Sequence, residues 1–221
     1  MQRGIALTPL EVPLLTGLAV FCLIFVPFGA LAQSRADLPV PFASQAPFGN
    51  WSHPWQEFCE EASIVMAAHY VRALPLTPQF ADREMRLIQR YEQIVFGRYR
   101  DSPIEEVAAV LRNFYGLNNV RTAVIASPEE IKKELVAGRA VIVPTAGRLL
   151  KNPFFTPPGP VYHMFVVRGF DDGRGVFIVN DPGTRRGNGL EYNQSVLFAA
   201  IHDWNGGDVM RGEKRVMVVG R

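Results

Sequence analysis

The chain has 221 residues, 48% of them hydrophobic and 20% charged, which is enough for one domain with a real core. A net charge of +2, from 23 basic and 21 acidic side chains, is too small to argue for a nucleic-acid partner. Neither heptads nor repeats nor low-complexity tracts interrupt the sequence, so coiled-coil and solenoid classes are set aside.

In chain order, residues 1–11 carry Arg3 and Glu11, and residues 12–32 read VPLLTGLAVFCLIFVPFGALA. This apolar run closes on Ala30-Leu31-Ala32, the small-residue pattern of a signal-peptide cleavage site. We read residues 1–32 as a signal peptide cut after Ala32. An uncleaved membrane anchor is the second reading, because the run approaches the length of a span. Either reading puts residues 33–221 outside the cytoplasm, secreted or periplasmic, as one domain whose only membrane contact is that segment. Cys22 leaves with the segment, and the bulky Phe21 before it does not suit lipidation. Cys59 is then the one thiol of the domain. Exported domains usually pair their cysteines, so a single thiol reads either as an inert buried residue or as a reactive group.

Residues 34–50 (SRADLPVPFASQAPFGN) form an extended, Pro-rich approach with a short edge strand expected near 38–42. A helix opens at Cys59, with Ala62, Val65, Met66 and His69 at helical spacing and no Gly or Pro before Pro75. Further helices are expected over 78–96 and over 102–115, the latter opened by Ser102-Pro103 and closed by Gly116. Strand-like 120–125, a helix from Pro128 to near Gly138, and the buried strand AVIVP at 140–144 follow. A Pro-rich loop, 148–160, leads into strand 162–170, a turn at Asp171-Asp172-Gly173 and a return strand, 176–180. A loop over 181–187, a short helix near 195–201 and a last strand, 215–219, complete the chain. Helices first and strands later argue an α+β fold with an antiparallel sheet.

A thiol at a helix N-terminus faces the positive end of the helix dipole, which lowers its pKa and favours the nucleophilic thiolate. It then needs a base and a group to orient that base. His69 lies on the same helix, roughly 15 Å away by helix rise, too far to serve. His53 and His202 sit on loops. His163 opens an apolar strand, where a polar ring needs a reason. Pairing Phe170 with Gly175, to within one residue, sets His163 opposite Pro182, and so brings Asp181 to His163 at the open end of the hairpin. Asp181 is the preferred orienting group, and Asn180, whose side chain should face the other side of the sheet, is the alternative.

The stretches VPFASQAPFGNW, CEEASIVMAAHY, GPVYHMFVVRGFDD and VNDPGTRRG resemble the bacterial peptidase family thirty-nine-like domains. Those are papain-fold cysteine peptidases related to the double-glycine leader peptidases of bacteriocin exporters. The resemblance covers about 38–203. It implies a papain-like fold with an N-terminal helical part carrying the Cys and a C-terminal antiparallel sheet carrying His and Asp. It also implies Cys59 as nucleophile, His163 as general base and acid, and Asp181 as the orienting acid. Gln45 matches the Gln of the family's Val-Pro-x-x-x-Gln opening and is the implied oxyanion donor, with Gln56 as the alternative; the papain-type offset lands on His53. The substrate expected is a peptide or protein amide, and no cofactor or metal is called for, since no His or Cys cluster has ligand spacing. A monomer is the default. Two rival readings stand beside the exported cysteine peptidase: a cell-wall peptidoglycan amidase or endopeptidase, and a catalytically inactive papain-like binding module.

Overall fold

The computed structural model describes Met1 and residues 33–221. The signal-peptide segment and Cys22 lie outside the described residues. Within them the chain builds seven strands and five α-helices. The strands are β1 (Arg35–Asp37), β2 (Val120–Val124), β3 (Ala140–Thr145), β4 (His163–Asp171), β5 (Val176–Asn180), β6 (Asn188–Asn193) and β7 (Arg215–Val219). The helices are α1 (Cys59–Arg72), α2 (Pro78–Val95), α3 (Ile104–Asn113), α4 (Pro128–Val136) and α5 (Gln194–Ala200). The expected α+β class is the observed one.

The strands form one sheet in the order β2-β7-β3-β4-β5-β6, every pair antiparallel. The sheet is covered on both faces. Ile142, Met164, Val166 and Met217 point into a core shared with α1, α2 and α3. The alternate residues Val141, Val143, Phe165 and Val167 pack into a second core with Ile131 and Leu135 of α4 and Leu197 of α5. Two-sided burial explains why β3 and β4 read as unbroken apolar runs rather than alternating ones. Helix α1 lies between the sheet and its helical neighbours, with Cys59 through Tyr70 all buried, so it carries apolar residues all round. Helix α3 starts at Pro103, which offers no side-chain cap; the Asp203 carboxylate accepts from the Ile104 N–H at 2.9 Å instead, capping the helix from far along the chain.

Three local expectations change. The first strand forms at Arg35–Asp37 and not at 38–42, because that is where β3 has ended and the second half of β4 has a free edge. Strand β6 occupies part of what read as loop and connection; only Leu190 and Tyr192 alternate inward, and its pairing with β5 creates it. At the hairpin, Phe170 pairs with Phe177, two residues beyond the expected partner. A bulge between Val167 and Gly169 takes back one residue of that slip, and Val166 pairs with Asn180.

Gly169 sits at that bulge, directly under β1. A Cβ there would collide with the Ala36 carbonyl and lie 2.9 Å from the Asp37 Cα. Gly169→Ala should cost about 1–3 kcal/mol, in the range of overpacked sites. The check is urea unfolding with an unchanged slope and a lowered midpoint; an unmoved midpoint would mean that β1 does not press on β4.

Candidate active site

The site forms where the N-terminus of α1 meets the first residue of β4. Helix α1 and strand β4 pack against each other along the sheet. This contact brings Cys59 and His163 to one cleft of about 760 Å³, which Gln45 and Gln56 also line. Phe154 and Phe155 of the 148–160 loop line it as well.

His163 is 3% exposed and Asp181 fully buried, and His163 Nε2 lies 2.7 Å from Asp181 Oδ1. Nε2 is therefore the nitrogen held by the carboxylate, leaving Nδ1 for proton exchange. Asp181 has two oxygens and uses both. Oδ1 also accepts from the Gly183 N–H at 2.9 Å, and Oδ2 accepts from Tyr192 Oη at 2.7 Å and Asn152 Nδ2 at 3.2 Å. Burial alone would push this carboxyl up, but the charge and bond of His163, the Tyr192 hydroxyl and the Gly183 N–H outweigh it and hold it below its ordinary value. Asn180 is also fully buried but turns away: its amide donates to the Val40 carbonyl at 2.9 Å and the Pro41 carbonyl at 3.3 Å, tying down the approach segment.

The His163 ring is boxed in. Phe155 meets it edge-on at 5.2 Å between centroids, and a Cβ on Gly183 would come within 2.8 Å of Cε1. The other histidines serve structure. His69 bridges the Pro75 carbonyl and Glu84, His202 bonds the Gly212 carbonyl, and His53 bonds Gln56 at the surface.

Two expectations for the thiol side meet a different geometry. Cys59 was read as a thiol of lowered pKa. Burial, and then the charge and hydrogen bond of Glu60, push it well above its ordinary value, against a smaller opposite pull from the Met164 N–H. Its Sγ donates to Glu60 Oε2 at 2.9 Å. Gln45 reaches the cleft, but its side-chain amide donates to the Trp55 and Gln56 carbonyls, at 3.0 and 2.9 Å, and so fastens the turn that leads into α1. Gln56 is exposed and bonded to His53 and Glu57. Asn152 and Tyr192, which complete the Asp181 environment, were not singled out from the sequence. Their only signal there is polarity inside otherwise apolar or Pro-rich surroundings.

Beneath the thiol the helical layer holds more acid than the sequence suggests. Glu61 and Glu92 are 0% and 1% exposed, and no oxygen of either finds a hydrogen-bond donor on another side chain or the backbone. Burial raises both carboxyls, with the charge of Glu92 adding to it at Glu61 and that of Glu60 at Glu92, which is pushed up to about 9, so the pair holds a proton at neutral pH. Among the described residues no cluster has the makeup of a metal site, and no helix is long and apolar enough to cross a membrane.

Comparison with known proteins follows this geometry. A model of the Peptidase C39 like family matches residues 37–206. A crystal structure from Bacillus anthracis, of a protein assigned as a C39-like peptidase, superposes with a TM-score of 0.56 at 17% identity, covering 86% of this chain and 99% of that one. No curated protein matches the chain.

A carboxyl whose folded pKa is raised gives stability that is complete below its unfolded value and fades as pH climbs through the folded one. Glu92, raised to about 9, and Glu60, raised to about 7, therefore make the fold weaken between about pH 4.5 and 9. Glu92→Gln should flatten that decline by several degrees of melting temperature across the interval. Parallel melting curves for wild type and variant at pH 5 and pH 9 would show that Glu92 carries no buried proton.

Proposed function

The chain belongs to the Peptidase C39 like family, and from that premise we propose that it is a cysteine peptidase acting outside the cytoplasm. The observation that carries this reading is the buried His163–Asp181 pair, 2.7 Å apart, opening on the same cleft as Cys59 at the start of α1. A carboxylate fixed on Nε2 selects the tautomer whose Nδ1 can accept a proton, and it stabilises the imidazolium that results. Cys59 Sγ then attacks the scissile carbonyl, His163 returns the proton to the leaving amine, and water releases the acyl group. The first orphan N–H groups of α1, beginning at Cys59, are the backbone donors nearest the oxyanion.

Exposed Arg185 and Arg186 line the cleft, as do Glu57 and Asp101, so a peptide laid in it meets side chains of both charges. The export reading fits a substrate that is met outside the cell. The cell-wall amidase reading remains the rival within the enzymes, and digestion of purified peptidoglycan with no cleavage of peptides would favour it. One observation favours the binding-module reading: the thiol proton is directed at Glu60 and not at His163.

Activity-based labelling with a peptide-directed thiol probe separates the readings. Wild type should label, Cys59→Ala should not, and His163→Ala should label at least about 100-fold more slowly, the usual size of a lost general base. Equal labelling of wild type and His163→Ala would remove His163 from the mechanism.

A further inference from the structure

We propose that Glu60 is a catalytic residue that must itself be protonated before Cys59 can become a thiolate, so that one negative charge is shared between the two. This rests on Cys59 being the nucleophile, and not on the substrate being a peptide.

A glutamate in the first turn of a helix ordinarily points to water, where it complements the dipole. Glu60 does not. It is 1% exposed and lies against the sulfur: Oε2 accepts from Cys59 Sγ at 2.9 Å, and Oε1 accepts from the Ser102 N–H at 3.2 Å. The Tyr162 hydroxyl bonds the Ser102 carbonyl and fixes that loop from the β4 side. Among the described residues no hydrogen bond joins Cys59 to His163, and no Lys or Arg is bonded to Glu60.

The groups that face Glu60 are Cys59 and Glu61 from α1, Glu92 from α2, Asp101 from the loop before α3, and Tyr162 from the approach to β4. All are acids. The nearest cations, Arg98 and Arg100, are turned to Glu106 and Glu57. A carboxylate and a thiolate 2.9 Å apart, largely buried at the floor of the cleft and without a cation between them, cannot both be ionised near neutral pH, as two carboxylates that share a site cannot.

The proton path follows. While Glu60 is ionised, it holds the thiol proton and the nucleophile is locked. When Glu60 has taken a proton from solvent, the Cys59 S–H bond can break toward His163 Nδ1, where an N–H bond forms beside the Asp181 carboxylate. The neutral Glu60 then donates its O–H to the sulfur anion. As the sulfur bonds to the carbonyl carbon, the π pair moves to the oxygen; as the C–N bond breaks, His163 gives its proton to the amine. Water, giving a proton to His163, then adds to the acyl carbon and the C–S bond breaks, the proton returning to the sulfur, so Glu60 ends the cycle as it began. Burial raises its carboxyl to about 7, so both states are populated near neutrality.

The signature is a thiol whose reactivity stops climbing once the shared charge is present, because thiolate beside neutral Glu60 and thiol beside ionised Glu60 hold the same number of protons. The test is the second-order rate of alkylation at Cys59 by iodoacetamide from pH 5 to 9, in the full chain and in Glu60→Gln, whose amide donates at every pH. Wild type should speed up toward pH 7 and level off above it, and Glu60→Gln should lift that plateau, its rate still climbing and at least tenfold faster than wild type at pH 8.5. A wild-type rate that climbs steadily with pH, as for a simple thiol, would overturn the proposal, as would a variant running parallel to wild type. The slope in wild type decides the matter even if the variant does not fold. A protein that shows the levelled profile but hydrolyses no peptide supports the role of Glu60 and removes the peptidase reading.

Discussion

An imidazole and a carboxylate, both shut away from solvent, hold each other across 2.7 Å at the head of β4. A buried charge is costly unless every lone pair is met, and much of the surrounding chain is arranged to meet them. Tyr192 comes from β6, Asn152 from the loop over the cleft, and the Gly183 N–H from the turn after β5. Three distant segments are thereby fixed to one another by the needs of a single side chain. The late strand β6, weak on its own sequence, has its place in the sheet as the element that brings the tyrosine.

The thiol side obeys the opposite logic. Where Asp181 is oversupplied with donors, the region under Cys59 is short of them: Glu60, Glu61 and Glu92 crowd together with little cationic relief. The two halves of the site therefore differ in kind. The sheet half is an ionised carboxylate held against an imidazole, and the helical half is a store of protons. The cleft runs between an environment that keeps a carboxylate ionised and one that keeps carboxyls neutral, which is how a fold separates acid from base roles among chemically equal groups.

Much of this was legible in the sequence where one element explains one pattern. The start of α1 at Cys59, the strands at 176–180 and 215–219, and the facing of Asp181 rather than Asn180 toward His163 follow from helical spacing, turn chemistry and alternation along a strand. What escaped depends on two elements meeting. That Glu60 and Glu61 are buried cannot be read from α1 alone, because their position in the first turn is equally good for exposed acids; it takes Glu92 of α2 and the 101–102 loop to close over them. The same holds for Gln45, whose residue type suits an oxyanion donor while its place in the fold directs its amide to the carbonyls of the preceding turn. The thiol pKa, lowered by a dipole argument, is raised by desolvation that only packing creates.

The box around the His163 ring carries a last consequence. With Phe155 at its edge and no room even for a methyl group at Gly183, the imidazole cannot turn over to exchange its two nitrogens. Protons can therefore enter and leave the ring through one door, on the side of the cleft, and each must go out the way it came in. The glycine and the phenylalanine, which exchange no proton themselves, decide which nitrogen of the ring the cleft can reach.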